Sequence, residues 1–473
     1  MKLPLKVGVS DIVVAMLVAT IIVLSMLPLV RAVSILPVLL VAYLLPCIVY
    51  RRMSFYNPVG QCALSLSFVM MTLFTTLNLW QSTVLLGSVD APMLLHDAFS
   101  FHRLSQDIAN DTLSEHSPIL PYMGYPYFLS LWRVLGINDI AYPLVINILA
   151  LLISLLLVGR CVVFVMGDTP YTTRMAAYAM MLTAIVPGVM STATQLAKEP
   201  FVICALLLCL NAMYAIKQRH RVALYAVMLA VGLLVLSTCR PTYIYILLMY
   251  MPAIWLYKFV RRDIASVVVV LIAMSFALYA GVQYSWWGSS DYIGQYVESG
   301  AYSGFSCGES QKPMQQLLGE YKEYTLLGRF LILPVTVAVQ FLIPFPFETA
   351  PAEFGMPLSS AYARMSYLWY IAAIPMILFY LLHWWRKGCD VRLSLMALVS
   401  AMAYCVPAFI SGGVVSRYAF CFVPMLSVVG AYTLVHIPTY SKQYKRVAIA
   451  FTVAYVVLIS IALYIGANPS VIL

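Results

Sequence analysis

Chemistry-bearing residues are few in this chain, and they stand where the sequence breaks out of long apolar runs. The stretch "LLHDAFSFHRLSQDIAN", residues 94–110, gathers His96, Asp97, His102, Arg103 and Asp107, although only 10% of the 473 residues are charged and 63% are hydrophobic. Three further interruptions carry cations: Lys198 beside Glu199 in "TQLAKEPF", Arg240 in "STCRPTY" and Arg417 in "GGVVSRYAF". Charge inside an apolar run is costly and is seldom kept without a purpose. A carboxylate such as Asp97 can accept a proton during a reaction. Lysine and arginine from three turns can converge on a phosphate, arginine in bidentate geometry. Each residue also has a plainer reading. Asp97 can cap a helix over 98–110, the cations can snorkel to a membrane interface, and Lys198 can pair with Glu199. His96, His102 and His116 with Asp97, Asp107 and Asp111 suggest metal ligation, but their spacing matches no compact ligand motif and no HExxH or CxxC pattern accompanies them.

The elements that must hold these residues are legible in the composition. A mean hydropathy of +0.91 and repeated apolar runs of about 20 residues, each long enough to cross about 30 Å of hydrocarbon, describe a polytopic membrane protein. The runs are continuous rather than alternating, so the spans are helices and not barrel strands. The fold class expected is all-α, a single integral membrane domain over 1–473. Spans are expected near 11–30, 33–50, 62–86, 139–160, 173–196, 200–216, 221–239, 242–259, 263–285, 364–385, 392–411, 417–437 and 446–466, about thirteen in all. The segment "RFLILPVTVAVQFLIPFPF", residues 329–347, reads as re-entrant or interfacial, stopped by Pro344 and Pro346.

The net charge of +10 reflects basic loops that fix orientation rather than nucleic-acid binding. Arg51-Arg52, Lys217 to Arg221, Lys258 to Arg262, Arg386 to Arg392 and Lys442 to Arg446 mark one side, assigned to the cytoplasm. Most acidic residues then fall on the opposite side, in two larger extracytoplasmic loops over 87–138 and 286–363. The first apolar run is long enough to span, so no cleavable leader is expected. Nearly all ten cysteines lie in apolar runs and indicate no disulfide framework. Trp286 and Trp287 fit an interfacial aromatic belt, and no GxxxxGK[ST] phosphate loop is present.

The residues "DAFSFH" (97–102), "GYPYFLSLWRVLG" (124–136) and "AYPLVINILALLISLLLV" (141–158) together resemble the dolichyl-phosphate-mannose-protein mannosyltransferase-like group of GT-C glycosyltransferases. The resemblance implies a multi-span enzyme that moves a sugar from a polyprenyl-phosphate donor to a glycan, lipid or protein acceptor at the extracytoplasmic face. Asp97 matches the acidic residue of the first outer loop and would be the catalytic base, in a transfer with inversion. Lys198, Arg240 and Arg417 would hold the donor phosphate; Glu199, His102 and Tyr125 would position substrate. No resident cofactor is implied, although some members of the superfamily use a divalent metal ion. An O-antigen-type polymerase or ligase with a pyrophosphate-linked donor, or a lipid or saccharide transporter or flippase, are the rival readings. Transporters place charge near the midplane and often show inverted repeats, whereas here the charges cluster at span ends. The absence of appended lumenal domains points to a bacterial inner membrane.

Overall fold

The computed structural model describes residues 7–86, 96–112, 123–167, 169–240, 366–387 and 420–467, with isolated helical residues between 243 and 400. Arg417, the second large loop 286–363, the segment 329–347 and the spans near 242–259, 263–285 and 392–411 lie outside the described residues, save for those isolated positions. So do the side chains of His96 and Asp97.

The protein is an all-α membrane protein, without strands among the described residues. In chain order the helices are α1 (Val7–Met26), α2 (Leu29–Arg51), α3 (Pro58–Leu86), α4 (His96–Ala109), α5 (Gly124–Val134), α6 (Ala141–Met166), α7 (Thr172–Ala184), α8 (Pro187–Thr192), α9 (Glu199–Lys217), α10 (Val222–Cys239), α11 (Ser366–Lys387) and α12 (Val423–Ala467). Five of them, α2, α3, α6, α9 and α10, are long and apolar enough to cross a membrane. The expected thirteen spans exceed what the described residues contain.

Burial sorts the helices by depth. In α6, Leu151, Leu152, Leu155 and Val158 are almost fully enclosed, because α6 packs against α2, α7 and α9. At Gly159 a Cβ would lie 2.6 Å from the Phe55 ring, so only glycine permits that approach. By contrast α10 packs mainly on α9 and leaves Val227, Val231 and Leu234 exposed. Apolar side chains on an outward face suit a hydrocarbon solvent.

Two elements differ from the sequence expectation. The span expected over 173–196 is broken: α7 ends at Ala184 and α8 restarts at Pro187, with Val186 extended. Proline removes a backbone donor and pushes its predecessor out of the helical region, which separates the two pieces. The basic run Lys442 to Arg446, expected in a loop, lies on helix within α12, which bends at Tyr440 just after Pro438. The proline again accounts for the bend.

Long-range contacts divide the bundle into two ends. At one end Arg31 at the start of α2 clasps Asp139 before α6, donating from Nε to Oδ2 at 2.8 Å and from Nη2 to Oδ1 at 2.6 Å. There too the amide of Asn78 meets the carbonyl of Thr194, and Gly124 meets Thr238. At the opposite end Phe164 packs on His220 and Tyr225, Tyr171 on His436, and His383 on Tyr440. The described basic runs near 219, 386 and 442 lie close in the chain to these contacts.

Candidate functional site

Three of the sequence-derived residues meet at the first end. The turn after α8 delivers Lys198 at the N-cap position of α9 and Glu199 as its first residue. The C-terminus of α10 delivers Arg240, which donates from Nη1 to Glu199 Oε1 at 3.4 Å. All three are buried, Lys198 and Glu199 to 3% exposure and Arg240 to 8%. That burial excludes snorkelling into bulk water as the reason for their presence. Glu199, expected to position Lys198 or substrate, makes an ion pair with Arg240.

Aromatic rings receive the cations. Lys198 Nζ lies 5.6 Å from the centre of the Phe101 ring, and the Arg240 guanidinium 5.4 Å from that of Tyr243. Both distances fall within cation–π range, where the negative ring face offsets part of the cost of removing charge from water. Phe101 belongs to α4 and packs edge-on against Tyr125 of α5, at 5.5 Å between centroids. The loop helices α4 and α5 therefore roof the two turns.

Gly124 brings α5 to this place. A Cβ there would sit 2.5 Å from Thr238 Cβ and 2.9 Å from its backbone, so the glycine allows α5 to lean directly on the end of α10. Tyr125 follows it, buried, with its hydroxyl 3.1 Å from Asn147 Nδ2. Burial raises the Tyr125 phenol pKa, and the Glu199 carboxylate nearby raises it further, while the Asn147 hydrogen bond acts in the other direction. The phenol is therefore a neutral hydrogen-bonding group at physiological pH.

His102, next to Phe101 on α4, is also buried, but its partner is one that the sequence did not indicate. Arg133 of α5 reaches its Nδ1 at 3.0 Å, and donates from Nε to Ser105 Oγ at 3.2 Å. The Ser105 hydroxyl in turn donates to the His102 carbonyl at 2.6 Å. This cluster pins α4 to α5. Among the described residues, no three side chains of His, Cys, Asp or Glu converge as metal ligands.

Asp97 occupies the first turn of α4, because the helix starts at His96 rather than at 98. A carboxylate within the first turn is favoured by the helix dipole, which differs from the N-cap position expected for Asp97. Residue 97 lies about one helical turn before Phe101, so its backbone is carried by the same helix that roofs Lys198.

Sequence reading missed Phe101, Asn78, Arg133 and Asn147 as parts of this region. The signal for Asn147 was present: a lone amide in the apolar run "VINILALL". Lone polar residues in a span mark a hydrogen-bonding duty, since lipid provides no partner. Phe101 carried no such signal, because an aromatic residue beside a membrane is unremarkable by type. Comparisons of the chain with protein-family models, with curated proteins and with solved structures returned no match.

Proposed function

We propose that this protein is a membrane glycosyltransferase that transfers a sugar from a polyprenyl-phosphate donor to a glycan, lipid or protein acceptor. One observation carries the reading: two cations from separate turns, Lys198 and Arg240, are buried with Glu199 at span ends under a roof of two loop helices. Buried cations gathered from separate turns suit an anionic ligand, and a span-end position suits an anion whose tail lies in lipid. The lipid phosphate is the leaving group. Its developing charge is stabilised by Lys198 and Arg240, with Arg417 as a third cation, so no strong general acid is required. Asp97 takes the proton of the acceptor hydroxyl as its oxygen attacks the anomeric carbon, and the configuration inverts. Tyr125 and His102 shape the roof, while Glu199 orients Arg240. The site-bearing end faces away from the cytoplasm, in a bacterial inner membrane. An O-antigen-type enzyme would use the same cations on a pyrophosphate. A transporter or flippase would bind the lipid equally but would not need Asp97.

The test is binding of farnesyl phosphate to the full chain in detergent, followed by transfer from a radiolabelled polyprenyl-phosphate sugar in membranes. Lys198→Met keeps the length of the side chain and its contact with Phe101, but removes the charge. Loss of one charge-assisted contact, about 1.5–3 kcal/mol, should weaken binding about ten- to a hundredfold. Unchanged binding in both Lys198→Met and Arg417→Ala would remove the phosphate site and the function with it.

A further inference from the structure

The turn that carries Lys198 and Glu199 has almost no regular structure of its own. Between the end of α8 at Thr192 and the start of α9 at Glu199 it runs through an irregular path, three of whose carbonyls accept from other helices. Buried carbonyls need donors. Two asparagine side chains from distant spans provide them. Asn78 of α3 donates from Nδ2 to the Thr194 carbonyl at 2.9 Å. Asn147 of α6 donates from Nδ2 to the Gln195 carbonyl at 2.9 Å and to that of Ala197 at 3.3 Å. The same Asn147 amide group lies 3.1 Å from the Tyr125 hydroxyl, so it also holds α5. Asn147 is fully buried and Asn78 nearly so. An amide in such surroundings is costly unless it is satisfied, and here its satisfaction lies in the backbone leading into Lys198.

We propose that Asn147, assisted by Asn78, is a positioning residue. It fixes the turn that presents Lys198 and Glu199, and through the Tyr125 hydroxyl it locks that turn to the roof helix α5. The proposal rests on the phosphate-site reading for its effect on function, but the clamp itself is a statement about the turn. Asn147 touches no substrate. It acts on the anion by holding Lys198 in register with Arg240, and on the roof by allowing α5 and the turn to move only together.

The experiment combines amide hydrogen exchange with ligand affinity on the full chain in detergent. Asn147→Leu keeps the branched shape and removes the donors; Asn147→Asp keeps the size and removes both N–H donors, which guards against a packing artefact. Both should raise exchange over residues 194–200, with loss of about 1–2 kcal/mol of local protection, or roughly tenfold, while the α2 amides keep their protection. Tyr125→Phe should raise exchange at the start of α5. Farnesyl phosphate should bind roughly tenfold more weakly to Asn147→Leu, yet Asn147→Leu should add almost nothing in a Lys198→Met background, because its effect passes through Lys198. A general packing role would give equal losses in both backgrounds. Unchanged exchange over 194–200 in both Asn147 variants, or additive losses of affinity, overturns the proposal. If the parent protein binds no farnesyl phosphate, the functional reading fails, and the exchange results alone decide the clamp.

Discussion

Glu199 and Arg240 form a buried ion pair. Removing one partner leaves the other charge without compensation in a low-dielectric setting. Glu199→Gln should therefore lower the midpoint of thermal unfolding by an amount that corresponds to about 3 kcal/mol, whereas Glu199→Leu with Arg240→Met should recover much of it. Scanning the unfolding of single and double variants in one detergent checks this; equal losses that simply add would show that the pair is not coupled. Asp97 is a different case. Asn accepts hydrogen bonds but takes no proton, and in the first turn of α4 it forgoes only about 0.5 kcal/mol of dipole stabilisation. Asp97→Asn should fold and bind farnesyl phosphate as the parent does, yet transfer sugar about a hundredfold more slowly or worse. Asp107→Asn and Asp111→Asn should retain most activity. Near-normal transfer by Asp97→Asn would move the base elsewhere, Glu199 being next in line.

Helices α4 and α5 have little intrinsic claim to their position, and their anchors are specific. Gly124 is the closest of these, because any side chain there meets Thr238 of α10. Gly124→Val should force α5 away from α10, at about 1–3 kcal/mol, and weaken farnesyl phosphate binding although residue 124 touches no ligand. A variant with parental stability and affinity would show that α5 does not roof the site. The Arg31–Asp139 clasp joins the start of α2 to the start of α6, and Asp139 also accepts from the Ala141 amide at 2.9 Å. Asp139→Asn keeps that cap and loses the ion pair, so the drop in unfolding midpoint isolates the clasp. About 1–3 kcal/mol is expected for a bidentate, half-buried charge pair. No measurable change would mean that helix packing alone sets the register of α2 on α6.

For the whole molecule, the grouping of basic runs near one end predicts a direction of insertion. Single cysteines at the exposed positions Asn138 and Arg219, in a background without reactive cysteines, should label oppositely. A membrane-impermeant maleimide should reach position 138 in intact cells and position 219 only after permeabilisation. The reverse pattern would place the candidate site in the cytoplasm and undo its assignment to lipid-linked sugars. The sequence by itself determined the solvent and the fold class, because continuous apolar runs leave helices as the spanning structure that satisfies every backbone group. It also located α4 to within about two residues, and picked out Lys198, Glu199 and Arg240 as costly interruptions. It could not show that Glu199 pairs with Arg240, that Phe101 lies under the lysine, or that Asn78 and Asn147 both reach the carbonyls of one turn. Those contacts join residues far apart in the chain, across helices whose mutual rotation is set by side-chain packing, for which hydropathy carries no signal. The break at Pro187 lies between these cases: the proline was visible, but only the packed bundle decided that the chain would stop and restart there instead of bending through.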